Sequence, residues 1–188
     1  MNLRQVLNNS KIGMLDKLNF VKTRIKPADF LKTFNNNRIL KQVLTKNLFP
    51  AKLKNITVNE PFQFTNDFFT EFQWTATKVL LNISKINQFV LLKEKFEISI
   101  LKNEYVTAKE TLNKIIFDFG NSLWSIESDL HIAEEEVGSN ENWQKLSDNL
   151  KIIHNPFYEL CISSSSKKVE NSVSFESYLN QTQNDINT

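Results

Sequence analysis

Apolar residues recur at spacings of three and four along most of this chain, the period of a helix that buries one face. Leu3, Val6 and Leu7, then Ile12, Leu15, Leu18 and Val21, predict helix over residues 1–25, interrupted across Asn8–Gly13. Pro27 suits the first position of a new helix, because the N–H it lacks is unpaired there anyway. Phe30, Leu31 and Phe34 would form its buried face. Asn35, Asn36 and Asn37 read as a junction, and Ile39, Leu40, Val43 and Leu44 as a short helix that stops before Pro50. Over 51–64 the period changes to two, at Ile56, Val58, Phe62 and Phe64. Pro61 argues against a central strand, so this stretch is read as an extended loop.

Helical spacing resumes with Thr65 or Asn66 as a cap and Asp67 at the positive end. Phe64, Phe68 and Phe72 fall four apart, with Phe69, Ala76, Val79, Leu80 and Ile83 widening a face read as core. A junction at Asn82–Ser84 is one reading; a single helix to about Asn103, through Ile86, Phe89, Val90, Phe96 and Ile100, is the other. The phase shifts at Asn103, and Tyr105, Ala108, Leu112, Ile115, Ile116 and Phe119 mark the next helix. Gly120 fits the left-handed position after it, and Asn121 or Ser122 caps a helix carrying Leu123, Trp124, Ile126, Leu130 and Ala133. Gly138 follows. Asn140 or Asn142 opens a helix with Trp143, Leu146, Leu150 and Ile153, closed by Asn155 and Pro156. Ser163–Ser166 with Lys167 and Lys168 reads as a polar loop, and Val173, Phe175, Tyr178 and Leu179 as a last helix.

The expected fold is therefore all-α: an irregular multi-helix bundle or a short array of helical hairpins, with the extended loop near 51–64. One domain is expected over 1–183, with basic helices in 1–55, hairpins in 65–155 and a frayed tail over 184–188. Three glycines and four prolines in 188 residues are too few turn residues for a β-sandwich or a doubly wound α/β fold.

From Leu92 to Gly120 the chain resembles one tetratricopeptide-type helical hairpin. Tyr105 and Ala108 match the aromatic and small residues that open its second helix. Leu112 and Ile115 match the apolar positions beyond, Ile100 fits the preceding helix, and Gly120 stands where the repeat breaks. The segment beyond Gly138 departs from the pattern, having Trp143 without an alanine at the matching place, and no clean repeat of about 34 residues runs through the chain. The resemblance implies protein–protein binding.

Charge alters this picture. The net value of +2 hides twelve basic and two acidic side chains in residues 1–55, or +10, against eleven basic and nineteen acidic groups beyond, or −8. Such a split fits either a basic half docked on the acidic half or an external acidic partner. Lys22, Arg24, Lys26, Lys32, Arg38 and Lys41 are the candidate contacts to a partner or to phosphates, and Glu134, Glu135 and Glu136 the candidate acidic surface. Phe20, Phe30 and Phe34 fall on the predicted buried faces, which leaves charge alone to favour nucleic acid.

Catalytic chemistry finds little support. No glycine-rich phosphate loop or Gly-x-Ser-x-Gly elbow occurs. His131 lies along one helix face with Glu127, Glu134 and Glu135, a pattern read as solvated rather than metal-binding. His154 and Cys161 lack an orienting third group, and a lone cysteine forms no internal disulfide. No catalytic residue, cofactor or metal ligand is assigned. The sequence shows no leader and no membrane-spanning run, so a cytoplasmic location is expected. The leading expectation is a non-enzymatic protein–protein interaction or assembly module, a helical adaptor or complex subunit. The alternative is a helical protein that binds the phosphate backbone of nucleic acid through the basic segment.

Overall fold

The computed structural model describes residues 3–24 and 67–187, with Lys26 and Asp29 between them. Among the described residues every regular element is helical, as the apolar period predicts. The described residues fall into two compact units, one holding 3–24 and 67–88 and the other 89–187. The expected helices between Pro27 and Leu44 and the extended loop over 51–64 lie outside the described residues.

The first unit contains α1 (Leu3–Asn8), α2 (Met14–Arg24) and α3 (Phe68–Leu81). The break between α1 and α2 falls where Asn8–Gly13 predicts it, and Val6 and Val21 are buried. Asp67 itself caps α3, one or two residues later than expected: its carboxylate accepts the N–H groups of Phe69 at 3.3 Å and Thr70 at 3.0 Å. The Thr70 hydroxyl and N–H hold that carboxyl below the usual aspartate range. The phenylalanine stripe is not core. Phe68 is 84% exposed, Phe69 and Phe72 are exposed too, and the covered residues of α3 are Trp74 and Thr77. A four-residue aromatic repeat defines a helix face without fixing what lies over it.

Helix α4 (Ile83–Leu101) begins in the first unit and continues in the second. Asn82 separates it from α3, donating its side-chain amide to the Lys78 carbonyl at 2.8 Å. That local bond competes with helix continuation and settles the choice between one helix and two in favour of two.

The second unit continues with α5 (Tyr105–Phe119), α6 (Leu123–Glu136), α7 (Ser139–Ile152), α8 (Pro156–Val169) and α9 (Phe175–Asn187). The turns from α4 to α8 follow from their residues. Asn103 takes φ 58°, and the N–H groups of Asn103 and Glu104 return to Ile100 and Ser99, closing α4 with a left-handed cap. Ser122 and Ser125 form a reciprocal capping box at the start of α6. Gly138 has φ 109°, and open space surrounds the position of a Cβ there, so the backbone angle alone calls for glycine. Asn155 caps α8 over Pro156.

Helix α8 overturns the predicted polar loop at Ser163–Lys168. Tyr158, Ile162 and Ser166 are buried along one of its faces, with Val169 packed at its end. Serine is a poor helix former in isolation, yet its small side chain suits a tightly covered face. The tail expected to fray is helical through Asn187.

Helix α6 is the centre of this unit, packing against α5, α7 and α8. Its residues serve two clusters on nearly opposite sides. Ile132 and Trp124 meet Phe96, Ala108, Leu112, Ile115 and Phe119, with Phe96 and Trp124 edge to face at 5.4 Å. Ile126 and Leu130 meet Tyr158 and Ile162, flanked by Leu123, Leu146 and Ile153. Each large apolar side chain so covered contributes about 1.5–3 kcal/mol. The second helices of successive pairs start at Tyr105, Ser139 and Phe175, an interval of roughly 34 residues. Ala108 and Asn142 stand at the same place in α5 and α7, and both are fully buried.

The Tyr158 hydroxyl is buried with no hydrogen-bond partner among the described residues. Tyr158→Phe is therefore expected to leave stability unchanged or raise it by about 1 kcal/mol, read by urea unfolding. A loss of that size would show that the hydroxyl is paired.

Candidate functional site

The densest polar constellation lies where α6 ends, α7 begins and α8 gives way to the turn at Glu170–Ser172. Glu134 is only 4% exposed. Its Oε1 accepts from the Ser139 hydroxyl at 2.9 Å and from the Asn171 N–H at 3.1 Å, and its Oε2 from the Asn142 amide at 3.2 Å. Asn142 carries the network onward, donating to the Ser166 carbonyl at 3.3 Å and accepting from the Ser166 hydroxyl at 2.9 Å. Ser139 and Asn142 belong to the first turn of α7, whose positive end favours a carboxylate. Glu134 is set against the dipole of its own helix but sits at the favourable end of the next.

This corrects the expected acidic surface. Glu134 is a buried cross-link and offers no charge to a partner. Glu135 and Glu136 are exposed. Glu135 accepts from the Asn171 amide at 3.2 Å, and burial together with the Glu135 charge pushes the Tyr105 hydroxyl above its ordinary pKa. Glu170 accepts from the Trp143 indole at 3.3 Å and from the Ser172 hydroxyl. The exposed rim of this end is thus anionic and carries the half-exposed ring of Trp143.

The other candidate residues are scattered. Lys22 is spent on Glu71 at 2.7 Å, within the first unit. Arg24 is exposed and lies over the Phe20 ring at 5.7 Å, and Lys26 is exposed. Lys32, Arg38 and Lys41 lie outside the described residues. The helix face shared by His131 and the glutamates is divided among other tasks: Glu127 pairs with Lys168 at 2.5 Å and holds that ammonium above its ordinary pKa, while Glu134 is buried. Among the described residues no group of three His, Cys, Asp or Glu side chains has the arrangement to hold a metal ion. No helix among them is long and apolar enough to cross a membrane.

Reading the sequence missed Asn142, Ser166 and Asn171. The available signal was the spacing of Tyr158, Ile162, Ser166 and Val169, which continues a helical face straight through the serine run. Comparison with known proteins adds no assignment: no protein family, curated protein or solved structure matches the chain.

Charge reversal separates the three glutamates. Glu134→Lys is expected to destabilise the fold by more than about 3 kcal/mol, because it leaves an unpaired charge among buried donors. Glu135→Lys and Glu136→Lys should each stay within about 0.5 kcal/mol of the parent. Chemical denaturation of the three variants checks this, and equal effects at all three positions would refute the burial of Glu134.

Proposed function

We propose that this chain is a non-enzymatic protein–protein interaction or assembly module, working in the cytoplasm as a helical adaptor or a subunit of a complex. The observation that supports the reading is the pairwise packing around α6, in which helices recurring at about 34 residues stack on their neighbours. The resemblance of the α4–α5 hairpin to a tetratricopeptide-type unit fits that arrangement, with Asn142 standing where the next unit would carry a small residue. In this reading Asn142 is tolerated at a close helix crossing because Glu134 and Ser166 satisfy it. Stacked helices of this kind leave extended faces uncovered, which suits binding to another protein better than enclosing a small substrate.

A second reading, association with nucleic acid through the basic segment, is supported by the exposure of Arg24 and Lys26. It loses Lys22, which is committed to Glu71.

Gel filtration of a gently prepared cell extract tests both. The interaction reading expects the chain to elute well above its own 21.9 kDa, with the shift surviving nuclease treatment. A shift abolished by nuclease selects the nucleic-acid reading. Elution at the monomer mass in every condition counts against both.

A further inference from the structure

From Phe175 to Ile186, helix α9 has no buried residue: Tyr178 and Thr182 are half-covered and the others are exposed. The helix packs on α8, where the Tyr178 hydroxyl lies 3.2 Å from the Ser164 hydroxyl and Asp185 pairs with Lys167 at 3.0 Å. Phe175, Leu179 and Ile186 are exposed while the helix is docked, so undocking forfeits little apolar burial. The Thr182 hydroxyl is covered without a hydrogen bond among the described residues, and undocking would return it to water. Local sequence adds little support. Helix α9 has 13 residues, within the range of about 12–15 below which isolated helices are marginal in water. Ser177, Asn180, Thr182, Asn184 and Asp185 are weak helix formers. The chain just before α9 is held differently. Asn171 donates its N–H to buried Glu134 at 3.1 Å and its amide to Glu135 at 3.2 Å, and the Trp143 indole reaches Glu170 at 3.3 Å.

We propose that α9 is a strap that opens and closes as one body about residues 172–174, pinned at Asn171, while α6, α7 and α8 stay folded. Elements with few buried contacts open at a smaller free energy than the core they rest on. The Glu134 bonds mark where the firmly held chain ends, and Ser174 starts the strap, its hydroxyl accepting the Ser177 N–H at 3.2 Å. Closed, the strap covers the side of α8 that carries Ser164 and Lys167 and neutralises Lys167 with Asp185. Open, it leaves both side chains to solvent, so anything that engages that side of α8 must first displace α9. The ion pair is partly exposed, so salt screens it and shifts the strap toward the open state. This behaviour belongs to the fold and holds whatever the protein binds.

Residue-resolved amide hydrogen exchange on the full chain, followed by NMR at about 0.1 M and about 1 M salt, tests this. The amides from Leu179 to Ile186 are expected to share one protection factor, at least about a hundredfold below that of α6, while the Asn171 amide stays with α6. High salt should lower the α9 value about two- to fivefold and leave α6 unchanged. Asp185→Lys should lower it at low salt and reverse the salt response. Lysine suits a helix C-terminus, so faster exchange in this variant reports the lost pair and not a weaker helix. Protection of α9 equal to that of α6 overturns the proposal, as does no protection at all, because the strap would then never open or never close by itself. Protection that falls steadily toward Asn187 is end fraying and also overturns it. So does an Asn171 amide that exchanges with α9, or an Asp185→Lys variant that exchanges like the parent at both salt concentrations.

Discussion

A carboxylate taken out of water needs replacements for the hydrogen bonds it has lost, and in this protein that need falls on Glu134. Burial of an uncompensated charge costs several kcal/mol. Three donors from two stretches of chain converge on it: Ser139 and Asn142 at the start of α7, and the Asn171 backbone after α8. Hydrogen bonds to a charged group contribute about 1.5–3 kcal/mol each, so the compensation is of the same order as the penalty. Because those bonds are directional, they fix how α7 and the end of α8 meet the end of α6. Apolar contacts drive helices together but discriminate weakly between neighbouring registers; the Glu134 bonds discriminate strongly.

The two apolar clusters are arranged around that fixed point. Ile132 faces the α4–α5 side and Leu130 faces Tyr158 and Ile162, so α6 is covered on both flanks. Small residues permit this: Ala108, Ser125, Ser128, Ala133 and Ser166 are buried where bulk would push helices apart. Ion pairs reinforce the same contacts, Lys145 with Asp129 at 2.6 Å and Lys168 with Glu127 at 2.5 Å. Partly exposed as they are, these pairs orient more than they stabilise.

Much of this fold was legible in the sequence because helical period and turn chemistry are local. The breaks at Asn8–Gly13, Asn103 and Gly120, and the face from Tyr105 to Phe119, lie where spacing puts them. What stayed hidden depends on contacts distant in sequence. Ser163–Lys168 looks like a loop by its polar composition, although the spacing of Tyr158, Ile162, Ser166 and Val169 carries a helical face through it, and only the packing of α8 on α6 and α7 shows that face buried. Glu134–Glu136 looks like one acidic patch, yet the first is drawn in by Asn142 and Asn171 while the next two stay in water. Phe68, Phe69 and Phe72 look like core because their helical spacing lays large apolar rings on one face, but spacing does not say what covers that face, and here they are exposed.

The claim that the Glu134 network sets the packing of α6, α7 and α8 is tested most directly by a double-mutant cycle between Glu134→Ala and Asn142→Ala, measured by urea unfolding. Residues joined in one buried network give coupling energies of about 0.5–3 kcal/mol, and this account places the pair above about 1 kcal/mol. Additive effects within about 0.3 kcal/mol would mean that the two residues stabilise the helices independently, and would contradict it.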